Sequence, residues 1–258
     1  MTPTTTTATS GLASPGITTA GAQSPRPGGA LVVVGDEIPG WAMRWCDSSA
    51  REIRHRPVPG QPADPASAER VGAIMDITAR AARCGDPVLV LPVQRRTCES
   101  PPLVVAAVRG FPDDAQSLTD AVACAGHMGA DLVVAHGLPT SFGERSIGLE
   151  AAVQDAGRLL DAAVRAASSG VPGLHVRAWL ARVRPDELVG ELLDADLLVL
   201  GGPRPDRWGQ LGLVARSALF HAPCAVLLTP RPALSTAEPW SPAFGGKTSP
   251  ISAAGGRR

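Results

Sequence analysis

The sequence predicts an α/β protein built on a doubly wound parallel sheet. Between residues 103 and 230, apolar runs of strand length alternate with segments of helical spacing, giving five strands and four helices. Most of the runs are rich in Val and Leu without polar alternation, as strands covered on both faces are. The connections are short, and right-handed βαβ crossovers then favour one parallel sheet with helices on either side. The expected sheet has five strands in the order 3-2-1-4-5, preceded by a smaller, truncated α/β block.

Taken in order, residues 1–28 are mostly Thr, Ser, Gly, Ala and Pro. They carry too little apolar surface to offset chain entropy, so a disordered segment is expected. Residues 29–95 form the short block. Leu31-Val32-Val33-Val34 closes at Gly35 and reads as a buried strand, and Trp41 to Ile53 as a helix. Residues 57–66, with four prolines and a glycine, read as a loop. Val71, Ile74, Ile77 and Ala81 repeat at near-helical spacing over 69–83, and Val88 to Leu91 is the block's second strand. A linker, 96–102, ends in Pro101-Pro102.

The domain at 103–230 opens with the strand Leu103–Val108. Pro112-Asp113-Asp114 starts a helix with acids at its positive end, and Gly129 stops it. Leu132–Ala135 is the next strand. The helix Leu149–Ala167 presents Val153, Ala156, Leu160, Ala163 and Val164 inward. Leu174–Ala178 alternates like a half-exposed strand. A short helix from Pro185 to about Leu192 precedes the strand Leu197–Leu200, which closes at Gly201-Gly202. A helix from about Gly212 to Phe220 leads to the last strand, Ala225–Leu228. Residues 231–258 read as a second disordered tail, with Trp240 isolated in it.

Composition excludes several classes. Basic and acidic residues balance at 24 each, so neither a nucleic-acid nor a membrane partner is expected from charge. Aromatics are 3 % with no tyrosine, too few for base-stacking platforms. Lys247 is the sole lysine and lies outside any strand–loop–helix context, which removes both a Walker-type phosphate loop and a Schiff-base nucleophile. The five cysteines (Cys46, Cys84, Cys98, Cys124, Cys224) form no C-x-x-C pair, so reduced thiols in a cytoplasmic protein are expected. The N-terminus lacks the basic and apolar regions of a signal peptide. The five histidines (His55, His127, His136, His175, His221) have neither triad nor metal-ligand spacing, and structural roles are expected for them.

In a sheet of this order, ligands bind beyond the carboxyl ends of the strands where the order reverses. The residues there are Arg109, Gly110 and Phe111 on one side and Gly201, Gly202, Pro203 and Arg204 on the other. The helix beginning at Gly212 and Leu213 adds its N-terminus. Gly-rich turns permit close backbone approach to a phosphate, but they are equally useful to a strand end without any ligand. Arg109, Arg204 and Arg207 would pair with an anion or stand in solvent, Asp206 partly offsetting them. Ser141 and Glu144 fill a loop above with no catalytic arrangement.

Two stretches resemble the universal stress protein family. "LVVAAVRGFPDDAQSLTDAVACAGHMGADLVVAH" is similar to its first strand–helix–strand. "DADLLVLGGPRPDRWGQLGLVARSALFHAPCAVLLTPR" is similar to its last strand, nucleotide loop, helix and edge strand. The resemblance covers 103–230 and implies the adenine-nucleotide α-hydrolase-like fold, a role in the stress response and an adenine nucleotide, ATP or AMP, as ligand. The ATP-binding members carry an acid after strand one, then Gly, two residues, Gly, nine residues, Gly and Ser or Thr. Here Arg109 stands in the acidic place and Gly201 matches the first glycine. Arg204 replaces the second, Gly212 arrives two residues early, and Leu213 replaces the hydroxyl. These departures predict weakened or lost ATP binding, each costing about 1–3 kcal/mol.

The two blocks echo one another. "LVVVG" at 31–35 matches "LLVLG" at 197–201, and in both blocks a glycine (Gly72, Gly212) precedes a cysteine (Cys84, Cys224) by twelve residues, with a strand following. The block is read as a shortened copy, either of the final half or, with "VVVGDEIPGWAMRW" aligned to strand one and helix one, of the first; the alternative is an unrelated block. Tandem members of the family pair through their last strands, which implies strand 88–92 beside strand 225–229. The alternative is a homodimer through 225–228. The leading expectation is a non-enzymatic binding or regulatory module. The alternatives are a nucleotide-hydrolysing member of the wider group, which would keep its phosphate loop, and a dimerisation scaffold, which would depend on Val226 rather than Gly201.

Overall fold

The computed structural model describes residues 29–57, 68–92, 101–138, 149–190, 193–202 and 211–231. The predicted tail 1–28, the predicted C-terminal tail beyond Arg231, most of the loop at 57–66, most of the linker, Ser141, Glu144, Arg204, Asp206 and Arg207 lie outside these residues.

The first half runs β1 (Ala30–Val34), α1 (Gly40–Ser49), β2 (Glu52–Arg56), α2 (Ala68–Cys84) and β3 (Val88–Val90). The second runs β4 (Leu103–Ala107), α3 (Ala115–Met128), β5 (Asp131–Gly137), α4 (Leu149–Ser168), β6 (Val176–Ala181), α5 (Pro185–Leu188), β7 (Leu197–Gly201), α6 (Leu213–His221) and β8 (Ala225–Thr229). All strands belong to one eight-stranded sheet, ordered β2-β1-β3-β8-β7-β4-β5-β6. The expected five-stranded extent is thereby corrected: the strands of the smaller block join the same sheet. The strands of 103–230 lie side by side as β6-β5-β4-β7-β8, all parallel, and β3 continues the sheet beyond β8.

That joint is antiparallel, with Val88 opposite Leu228, Leu89 opposite Leu227 and Val90 opposite Val226. The sheet is therefore mixed, and β8, the expected edge, is covered within the chain. The Leu91 amide donates to the Val34 carbonyl at 2.9 Å. Because amides alternate along a strand, the Val90 amide points the other way, toward β8. The outer edges are β2 and β6. On β2, the Glu52, Arg54, His55 and Arg56 side chains are exposed, and charge of this kind discourages pairing with another chain.

A second correction concerns 41–53. The helix ends at Ala50, which takes a left-handed conformation (φ 50°), and a strand follows. Glu-Ile-Arg-His-Arg carries no apolar alternation because an edge strand needs to bury little.

Helices cover both faces. On one, α1, α3 and α4 bring Trp45, Leu118, Val122 and Leu160 against Leu31, Leu89, Val104, Leu132, Val199 and Leu227. On the other, α2, α5 and α6 bring Ile74, Leu188, Ala215 and Ala218 against Val34, Val90, Val105, Leu198 and Leu228. Leu31, Leu89, Leu132, Leu197, Leu198, Leu227 and Leu228 are fully buried. At about 1.5–3 kcal/mol for each fully buried aliphatic side chain, this two-sided burial is the main stabilising contribution.

The halves also meet through α1 and α3. The Arg44 guanidinium donates to the His127 carbonyl at 2.8 Å, and Ser48 bonds the His127 ring at 2.9 Å. Beneath them, Arg51 lies 4.7 Å from the Trp45 ring centroid and 3.5 Å from Asp120. Burial pushes the Asp120 carboxyl up to about 6, against the opposing pull of Arg51 and Gln116. Burial likewise pushes the Cys46 thiol up to about 11 and raises Cys124, so both stay protonated.

Candidate functional site

The order reverses between β4 and β7, and their carboxyl ends frame the candidate site. Alternation decides which residues face it. Val104, Ala106 and Val108 on the β4 side, Val199 on β7 and Leu227 on β8 face α3. Gly201 and Thr229 continue the same rows two residues on, so what they carry meets the start of α3.

Asp114 is the N-cap of α3, 1 % exposed as a residue. Its side chain makes no bond forward into the helix. It reaches back, where Oδ2 accepts the amides of Arg109 at 2.7 Å and Gly110 at 3.2 Å. Its other oxygen, Oδ1, lies 2.7 Å from Nη2 of Arg231, a residue the sequence reading assigned to the tail. The Arg231 side chain is 16 % exposed and that of Asp114 fully buried. The guanidinium lies where a side chain of residue 201 would be: a β-carbon at Gly201 would stand 2.6 Å from Cζ of Arg231.

Below the pair, Thr229 donates to the Leu200 carbonyl at 3.1 Å, and Ser117 and Thr229 share a hydrogen bond of 2.5 Å. The amide of Gly202 donates to the Thr229 carbonyl at 2.7 Å, and a β-carbon at Gly202 would come within 2.9 Å of that oxygen. These glycines serve the closure of the sheet end on itself. Nδ1 of His136 donates to the Val108 carbonyl at 2.9 Å, tying the ends of β4 and β5 together.

The predicted residues are thus partly assembled. Gly110, Gly201 and Gly202 lie at the ends of β4 and β7, and Arg109 joins them through its backbone while its side chain is exposed. Gly212 is the N-cap of α6 and Leu213 its first residue, 69 % exposed. That helix packs on the opposite face of the sheet from α3, and Ser217 donates to the Asp186 carbonyl at 3.0 Å. Asp114, Ser117, Thr229 and Arg231 are the site residues that sequence reasoning missed. The available signal was the alternation Leu227, Thr229, Arg231, which carries the inward row past Pro230. Among the described residues, no group of His, Cys, Asp and Glu could hold a metal ion, and no helix is long and apolar enough to cross a membrane.

The model of the universal stress protein family matches residues 103–230, so this part of the chain is a universal stress protein domain. Among solved structures, a universal stress protein from Archaeoglobus fulgidus is similar at 23 % identity and a TM-score of 0.41, over 49 % of this chain and 96 % of that one. The universal stress protein from Archaeoglobus fulgidus in complex with dAMP is 26 % identical at a TM-score of 0.39, over 50 % and 97 %. A putative universal stress protein from Pseudomonas aeruginosa is 14 % identical at a TM-score of 0.41, over 80 % and 93 %. No curated protein matches the chain.

Proposed function

We propose that the chain is a non-catalytic regulatory module of the universal stress protein type whose switch-point crevice has lost useful nucleotide binding. The observation that carries this reading is the Asp114 carboxylate. It consumes the two amides, of Arg109 and Gly110, that a phosphate would need at the β4 side of the crevice. A second anion brought there finds these donors already taken by a carboxylate, and would have to give up its water without replacing those hydrogen bonds. Gly201, Gly202, Arg204, Gly212 and Leu213 are read as the remnant of the nucleotide loop. Leu213 at the head of α6 offers no hydroxyl to a phosphate, and Arg204 has no glycine's freedom of approach.

Residues 29–95 are read as a truncated copy that supplies the pairing partner for β8. In support, β1 and β3 are parallel neighbours as β7 and β8 are, and β3 meets β8 antiparallel. On this reading the chain is an intrachain pseudo-dimer and needs no second copy to cover β8.

Calorimetric titration with ATP, ADP, AMP and cyclic AMP tests the functional reading. No binding tighter than about 1 mM is expected, about −4 kcal/mol. Micromolar binding of any of them would overturn it.

A further inference from the structure

The space above Gly201 is already filled, and by a cation. Arg231 places its guanidinium there, Nη2 2.7 Å from Oδ1 of a fully buried carboxylate. Neither that Oδ1 nor Nε of Arg231 has an aligned hydrogen-bond partner among the described residues. The ion pair is therefore their main mutual support. The amides of Arg109 and Gly110 fix the other carboxylate oxygen, so Asp114 is held in place with Oδ1 turned to the guanidinium. Gly201 makes the room, since any side chain there would overlap the guanidinium. A buried carboxylate, a glycine floor and a planar cation make a complete recognition site, with the ligand supplied by the chain itself.

We propose that Arg231 is a built-in occupant of the switch-point crevice, and that Asp114 makes this crevice selective for guanidinium-class cations over anions. This deepens the functional reading above and rests on it: the crevice excludes phosphate because its volume is taken and its cation is already paired to Asp114. Displacing Arg231 leaves a vacancy shaped and charged for a free guanidinium ion.

The test is chemical rescue. Arg231→Ala is melted in rising guanidinium chloride, from zero to about 20 mM, a range far below the molar concentrations that unfold proteins. Sodium chloride at equal ionic strength is the control. The expected result is a saturable rise in the Tm of Arg231→Ala. Wild type and the double variant Asp114→Asn, Arg231→Ala should show none; the asparagine oxygen still accepts the two loop amides. No rise above the sodium control, or an equal rise in the double variant, would overturn the proposal.

A second measurement covers a variant that fails to fold. Phenylglyoxal labelling of the wild type, read by peptide mass, should modify Arg231 at least tenfold more slowly than the exposed Arg109. In Asp114→Asn the difference should shrink. Equal labelling of the two arginines in wild type would overturn the proposal. Micromolar ATP binding by wild type is the separate result that sinks the functional reading, whatever the guanidinium result.

Discussion

Arg51 and Asp120 form an ion pair whose side chains are withdrawn from solvent. Their side chains are 9 % and 4 % accessible, they stand 3.5 Å apart, and Nη1 of Arg51 and Oδ2 of Asp120 have no hydrogen-bond partner among the described residues. A buried pair this loosely made recovers only part of its desolvation cost. Its pH dependence has a definite sign. An ordinary aspartate titrates near 3.9 and Asp120 at about 6, so the native state binds this proton more tightly than the unfolded chain does. Its contribution to stability is full below pH ~4 and is lost as pH rises through about 6. The urea midpoint should therefore carry a component that rises on acidification across this window, worth at most about 3 kcal/mol. Asp120→Asn, which cannot titrate, should flatten that component. Arg51→Leu should destabilise by about 3–5 kcal/mol at pH 7.5, because a lone carboxylate is left buried. At pH 5, where Asp120 can take up a proton, the loss should be smaller. Equal losses at both pH values would contradict this account of the pair.

At the scale of elements, the two ends of helix design appear side by side. Helix α3 closes with Gly129 in the left-handed region (φ 64°), where glycine has no steric penalty. Helix α1 closes in the same conformation with Ala50 (φ 50°), where a β-carbon costs about 1–2 kcal/mol. Ala50→Gly should accordingly raise stability by about 1 kcal/mol, a Tm increase of roughly 2–4 °C for a body this size. An unchanged or lowered Tm in calorimetry would show that the unfolded chain's added freedom outweighs the relieved strain. The same turn explains what the sequence concealed. Ala50 gives no glycine's warning of a helix end, and Glu52–Arg56 has the polarity of a surface segment because it pairs on one side only. The strands Leu31–Val34 and Leu197–Gly201 were legible for the opposite reason: burial on both faces leaves an unbroken apolar run. In the site, Gly201 and Gly202 were legible as a turn. Arg231 was not, because it follows Pro230 and precedes a polar, Pro-rich stretch, and only its partner Asp114 gives it a place.

At the scale of the whole molecule, the account turns on the joint between β3 and β8. It makes one mixed sheet from two blocks of unequal length and leaves Val90, Leu89 and Val88 paired where another copy of β8 would otherwise dock. The twelve-residue spacing shared by Gly72–Cys84 and Gly212–Cys224 pointed to this pairing, but the spacing says nothing of β2, which extends the sheet past β1. Val90→Pro removes the amide that faces β8. The cost should be about 2–4 kcal/mol, for one ladder bond and the carbonyl left without it. The deciding measurement is hydrogen exchange on residues 225–229, compared between wild type and Val90→Pro, with the mass followed by light scattering. The account predicts strong protection and a monomer in wild type, and in the variant faster exchange at β8 with a gain in mass as the uncovered edge finds another copy. Undiminished protection of β8 in a monomeric Val90→Pro protein would contradict it.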